Sequence, residues 1–279
     1  MKAIRPTTRA RIKAYLEVFV ENLVEEHRGR KIQTLDTPTE YLAKESPKGR
    51  LKPFHAAIIP PELMRITTFE RSFSTKLGTT YEECARLIAL DHHKEAQRSY
   101  NVEGSISLTA INEIEHQVAI FEHAAKSGEV RPSLKQMIKA TLDARQKDNL
   151  EERSARADLY ILTKDRKELF FEIKSPVPNK GQCLEVTQRI LRFHLLRGKP
   201  RPTIQAYFAM AYNPYGPART DYRWSHTLNY MPFEQAVIIG QEFWNIVGGP
   251  TAYQELLEVY QEVGNDKSKY MLDALAFGF

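Results

Sequence analysis

The sequence predicts an α/β fold, a mixed central β-sheet flanked by helices, with a helix-rich N-terminal half. Three observations lead there. Apolar residues recur at helical spacing through much of residues 1–150. Beyond residue 150 the period changes: Ala157 to Thr163 and Glu168 to Lys174 are two short β-prone runs separated by the polar Lys164-Asp165-Arg166-Lys167, which reads as a hairpin. A helical stretch and a further apolar run, Ile204 to Tyr212, then add to the sheet. With 279 residues, 42% apolar and 27% charged, the chain has the length and composition of one large globular domain. No obvious linker divides it, so residues 1–279 read as a single domain, mainly helical over 1–150, with the hairpin, sheet and C-terminal helices over 151–279.

The elements follow in order. Thr7 or Thr8 can cap a first helix carrying Ile12, Tyr15, Leu16, Phe19, Val20 and Leu23 on one face, with Gly29 as its stop. Residues 29–62, rich in Lys, Arg, Pro and Thr, read as loops. A helix is expected after Gly78, with Tyr81, Ala85 and Ile88 together. Another spans about 109–127 and stops at Gly128, and a further one starts after Ser133 with Leu134, Met137, Ile138, Thr141 and Leu142 inward. Pro176 and Pro178 end the second hairpin strand, and a helix from about Gln182 to Leu196 follows. Asn213-Pro-Tyr-Gly216-Pro is a turn and Val237 to Ile239 a short strand. Gly248-Gly249-Pro250 is a helix stop and turn; Thr251 then caps a helix with Leu256, Leu257, Val259 and Tyr260, and a last helix closes the chain.

Composition narrows the function. A net charge of +5 and a pI near 9.0 suit a nucleic-acid partner without establishing one. Cys84 and Cys183, far apart, imply neither a disulfide framework nor a zinc site, and point to reduced thiols in the cytoplasm. Lys2, Arg5, Arg9 and Arg11 precede no apolar stretch of signal-peptide type, and no run approaches a membrane span. The sequence carries no phosphate-binding Gly-rich loop, Rossmann fingerprint or nucleophile elbow.

The chemistry concentrates in Asp158, Glu172 and Lys174. If the hairpin closes with a three-residue loop, Asp158 faces Glu172; a one-residue shift makes them diagonal neighbours, about 5–8 Å apart at Cβ in either case. Glu172 and Lys174 share a face because side chains alternate along a strand. Two carboxylates can hold a hard divalent cation such as Mg²⁺, and the lysine can orient water or steady charge building on a phosphate oxygen. The bland alternative is a salt-bridged strand end. Phe170, Phe171 and Ile173 argue against it, since charges set on an apolar wall are costly unless paired, coordinated or functional. Glu82, expected in the first turn after Gly78, is either a residue favoured by the helix dipole or a third carboxylate for the metal; Glu83 competes with it. Lys180, Gln182 and Arg189 near the helix after Lys174, and Arg219 in the loop after Gly216, are candidate DNA contacts; solvated polar faces are the alternative. Asp91-His92-His93 is similar to the motif of the DHH phosphoesterases, but no matching aspartate motif lies upstream, and helix-end histidines account for it.

The residue order Asp158 … Glu172-Ile-Lys174 is that of the PD-(D/E)xK nuclease superfamily. Arg71-Ser-Phe-Ser-Thr-Lys-Leu-Gly78 with Tyr81-Glu82, Arg156-Ala-Asp158-Leu-Tyr, Tyr212-Asn213-Pro214-Tyr215 and Phe243-Trp244-Asn-Ile-Val-Gly248-Gly249 resemble the TdeIII family of type II restriction endonucleases over roughly residues 70–265. The resemblance implies a restriction-endonuclease-like core and a Mg²⁺-dependent enzyme, Mn²⁺ substituting, that cuts double-stranded DNA at a short palindrome. It further implies a homodimer, and a cognate DNA methyltransferase in the same system without a stable complex. Asp158, Glu172 and Lys174 match the family's catalytic positions; Glu82 matches only its helix context. The other readings are a repair, junction-resolving or mobile-element nuclease of the same superfamily, and a non-catalytic DNA-binding protein.

Overall fold

Leu169, Phe170, Phe171 and Ile173 make the run Glu168–Lys174 apolar toward both sides, and that run is the middle strand of a five-stranded sheet. The structure, a computed structural model, describes residues 2–28, 37, 39, 41, 43–47, 49, 51–147, 149–198 and 204–274. The sheet runs β1 (Glu95–Ser107), β2 (Leu150–Leu162), β3 (Glu168–Lys174), β4 (Ile204–Met210) and β5 (Val237–Ile239), in that spatial order. The first two pairings are antiparallel and the last two parallel, so the sheet is mixed, as expected.

The helices are α1 (Pro6–His27), α2 (Pro53–Ile58), α3 (Pro61–His92), α4 (Leu108–Ser127), α5 (Leu134–Asp143), α6 (Lys180–Arg197), α7 (Ser225–Tyr230), α8 (Phe233–Ala236), α9 (Gln241–Gly248) and α10 (Ala252–Leu272). Two compact units divide them: Met1–Thr8 with Gly78–Leu256, and Arg9–Leu77 with Leu257–Phe279.

In the sheet-bearing unit, alternation along β3 assigns its two faces. Phe170 stacks on Phe193 of α6 (ring centroids 4.8 Å apart) and meets Tyr160 of β2, which in turn stacks on Tyr100 of β1 at 4.0 Å. Phe171 turns the other way, toward Tyr207 of β4 and Phe243 of α9. Capping boxes start both α5, at Ser133 with Gln136, and α6, at Asn179 with Gln182. Gly128 ends α4 in the left-handed conformation, φ 75°. The second unit places Ile12, Leu16 and Leu23 of α1 in its interior. Arg9 and Lys13 bond Glu262 of α10 there at 2.8 and 2.6 Å, and Phe19 packs on Phe73.

Several expectations change. The helix containing Tyr81, Ala85 and Ile88 begins at Pro61, not after Gly78. One glycine costs a helix about 1 kcal/mol against Ala, which a long cooperative helix absorbs. The two closing helices are one, Ala252–Leu272, which passes through Gly264. Residues 29–62 contain α2 and the start of α3; Gly29 and much of 29–50 lie outside the described residues. Strand β1 was not expected at all, because only Ala96, Val102 and Ile106 of its thirteen residues are buried apolar groups. Its partner β2 starts at Leu150 rather than Ala157 for the same reason: Glu151–Ser154 is polar and lies on β1 by backbone bonding. Helix α9 ends at Gly248, where Gly248-Gly249-Pro250 reads as a helix stop. Among the described residues no helix is long and apolar enough to cross a membrane.

Candidate active site

The hairpin sets the site. Thr163 N–H donates to Lys167 O at 2.9 Å and Arg166 N–H to Thr163 O at 3.0 Å, with Arg166 at φ 64°, so Lys164, Asp165 and Arg166 form a three-residue loop. Leu162 then faces Glu168 and Leu159 faces Phe171. Continued by one rung, that register puts Asp158 opposite Glu172. On its other side β2 pairs with β1 at every rung from Glu95–Leu162 to Ser107–Leu150 except one, Ser99 against Asp158. Ser99 adopts φ 55°, in the left-handed region, and receives a hydrogen bond from Arg156. A non-glycine residue held there is strained, and here it stands beside a candidate catalytic carboxylate.

Asp158, Glu172 and Lys174 come together. Asp158 Oδ2 accepts from the Ile173 backbone N–H at 2.8 Å and from Lys174 Nζ at 3.1 Å. Lys174 Nζ also lies 3.5 Å from Glu172 Oε2. Burial opposes the charge on Lys174, but Asp158 and Glu172 outweigh it and hold its pKa above the usual value. Glu172 is 0% exposed. Burial first, then the charge of Asp158, pushes its carboxyl up to about 7, against the pull of Arg189 and Lys174. Its Oε1 is buried and has no hydrogen-bond partner among the described residues.

Arg189 is the second cation on that carboxylate, with Nη1 2.6 Å from Glu172 Oε2 and Nη2 2.6 Å from Glu185. Glu82 lies mid-helix in α3, so the dipole of a first turn does not bear on it. Arg98 of β1 bonds it at 2.8 Å through Nη2. Burial raises its pKa, and Asp158 adds to the rise while Arg98 and Lys174 oppose it, so Glu82 feels the site's charges. Glu83 turns to Arg86, with Nε–Oε2 2.9 Å. Burial pushes the Glu83 carboxyl up, but Arg86 and Arg98 together bring it below the usual value. Among the described residues no group of three His, Cys, Asp or Glu side chains stands together as a metal cage.

The remaining candidates have duties inside the fold. Lys180 Nζ bonds Glu122 at 2.7 Å and lies over the Tyr230 ring. Gln182 closes the capping box of α6. Arg219 donates to the carbonyls of Val237 and Phe233 and pairs with Glu242 at 2.8 Å, its guanidinium 4.3 Å from the Phe233 ring centre. His92 bonds Ala3 O and His93 bonds Ile246 O, while Asp91 pairs with Arg5, so the Asp-His-His run is structural. Sequence reasoning missed Arg98, whose strand has too little apolar alternation to betray it. It also put Arg189 toward DNA, since nothing local in sequence links a helical arginine to a carboxylate seventeen residues earlier.

A buried carboxylate beside a second carboxylate and a lysine is a set of groups that phosphodiester hydrolysis can use. The family model described as "Type II restriction endonuclease, HinfI" matches residues 11–264. The chain belongs to the HinfI family of type II restriction endonucleases. It is a site-specific endodeoxyribonuclease, acting on DNA phosphodiester bonds. Three type II restriction enzymes of Herpetosiphon aurantiacus resemble this HinfI-family chain over 266 residues each. HgiEI is 47% identical (95% of this chain, 96% of the relative), HgiBI 45% (95% and 96%) and HgiCII 44% (95% and 97%). No solved structure matches. The likeness to TdeIII is one of motifs; the family that the match names is HinfI. Type II restriction endonucleases as a class use divalent metal ions, and the donor set fits one. Mg²⁺ is commonly held by one or two carboxylates with water and phosphate completing the shell.

Proposed function

We propose that this HinfI-family enzyme hydrolyses double-stranded DNA at a short palindrome, as a Mg²⁺-dependent homodimer centred on Asp158, Glu172 and Lys174. The observation that carries the reading is Glu172 Oε1, a buried anion-bearing oxygen with no partner, in a carboxylate already gripped on Oε2 by Arg189 and Lys174. Buried polar atoms are seldom left without a partner, and an open carboxylate oxygen beside a second carboxylate is what a bound cation would complete. Asp158 and Glu172 hold the cation, with Mn²⁺ able to substitute. When bound, the cation supplies positive charge against the phosphate oxygens and makes water a competent nucleophile near neutral pH.

The chain's own residues do the rest. The Ile173 N–H fixes the Asp158 carboxylate, and Arg189 fixes Glu172 with Oε1 left available. Lys174, held charged between both acids, is positioned to orient the attacking water and to stabilise the negative charge that gathers on the phosphate. Glu82 adds negative charge beside Asp158 from α3, its position set by Arg98. Lys180, Gln182 and Arg219 contact DNA only by exchanging the internal bonds they now make. A palindromic site matches a two-fold symmetric dimer, each copy cutting one strand. A cognate methyltransferase protects the host's own sites without a stable complex. The enzyme acts in the cytoplasm, which suits its two buried cysteines, Cys84 and Cys183.

The test is incubation of unmethylated plasmid and phage DNA with the protein in Mg²⁺ or EDTA, alongside Glu172→Ala and Lys174→Ala. Discrete fragments only with Mg²⁺, absent in both variants, are expected, and their ends give the recognition sequence. Cleavage that persists in EDTA or in either folded variant would refute the assignment.

A further inference from the structure

Helix α6 carries a second arginine, Arg192, that has no ion-pair partner among the described residues. Arg192 follows Arg189 by three residues and so lies on the same side of the helix, with Cβ atoms about 5–6 Å apart. Arg189 is spent on Glu172 and Glu185. Arg192 is half-buried and makes no hydrogen bond or ion pair among the described residues. Burial first, then Arg153 and Arg189, lowers its pKa, with Glu115 of α4 attracting it from beyond ion-pair distance. Arg153 comes from β2 opposite Gly104 of β1, and α6 crosses there closely: a Cβ on Gly104 would stand 3.6 Å from Leu196. Arg153 is itself paired with Glu151. A cation partly withdrawn from water and set among like charges is costly unless an anion completes it.

We propose that Arg192, with Arg153 beside it, seats a DNA backbone phosphate neighbouring the one that is cut. The proposal rests on the reading of Asp158, Glu172 and Lys174 as the hydrolytic centre, because Arg189 ties the arginine row to that centre. A phosphate fits because it brings negative charge and acceptor oxygens matched to a guanidinium fork. It also adds no charge of its own to the protein's interior when DNA is absent. The contact is to backbone, so it positions DNA without reading its sequence.

The experiment measures binding and leaves cleavage aside. Fluorescence anisotropy on a labelled duplex of random sequence, in EDTA and across a salt series, compares wild type with Arg192→Ala, Arg192→Lys and Arg153→Ala. Arg192→Ala is expected to weaken binding roughly ten-fold and to flatten the log–log salt dependence by about 0.9. Arg192→Lys regains the slope, which a purely structural role would not produce; Arg153→Ala loses part of it. A folded Arg192→Ala protein with wild-type affinity and slope overturns the proposal. If Arg192→Ala does not fold, Arg153→Ala decides, and an unchanged slope there overturns it equally. Wild type that binds with this Arg192-dependent slope yet cleaves nothing would sink the hydrolytic reading while the phosphate seat stands. Wild type that binds no duplex at all overturns both.

Discussion

Replacing Glu172 with Gln should stabilise the protein at alkaline pH while removing its activity. The side chain is fully buried, and burial with the charge of Asp158 raises its pKa from 4.5 to about 7. The folded chain therefore keeps this proton over a range in which the unfolded chain has released it. The stability that the proton confers is fully present below 4.5 and is lost as pH rises through about 7. At about 1.4 kcal/mol per pH unit, that interval corresponds to about 3 kcal/mol. Gln carries no charge to bury, so at about pH 8 Glu172→Gln should exceed wild type by about 3 kcal/mol, and at about pH 5 by under about 1 kcal/mol. Urea denaturation followed by circular dichroism, in EDTA at both pH values, measures the two margins. Adding Mg²⁺ at the higher pH should raise wild type and leave the variant unmoved, since only wild type has the charged ligand. A variant no more stable than wild type at about pH 8, or equally more stable at both pH values, would refute the argument that this carboxylate is held against its own burial.

Three further outcomes are expected. Glu82→Gln should lower the cleavage rate roughly ten-fold because it removes charge that Asp158 and Lys174 feel, whereas Glu83→Gln should stay within about two-fold; equal effects in a cleavage time course would contradict the distinction drawn between them. Gly248→Ala would press a Cβ to 2.4 Å from Ile88 Cγ2 and should cost about 1–3 kcal/mol, while Gly78→Ala meets nothing within 4 Å and should gain about 0.5–1 kcal/mol; denaturant midpoints report both signs. Reading residues 1–279 as one domain predicts a single cooperative thermal transition, and two calorimetric peaks would divide the chain at the unit boundaries near residues 8, 77 and 256.

The parts of this protein that its sequence determined are those governed by neighbours along the chain. Strand β3 was legible to the residue because its apolar run is bounded by polar residues and prolines. Helix α5 was legible because Ser133 begins it, and α4 because Gly128 ends it. The pairing of Asp158 with Glu172 and Lys174 followed from a short loop and a two-residue period, both local properties. What lay beyond local reach depended on contacts between distant segments. Strand β1 and the start of β2 are polar, and their backbones pair with each other rather than being driven together by apolar side chains. Glu82 belongs to a helix begun far upstream, since a single glycine cannot interrupt a helix that its neighbours sustain. Arg189 reaches Glu172 only because α6 folds back over the sheet, and that same packing sets Arg192 near Arg153 and Arg189 with no ion-pair partner among the described residues. Charge in a sequence carries no direction: whether an arginine meets a carboxylate, another arginine or a phosphate is decided by which surfaces the core brings face to face.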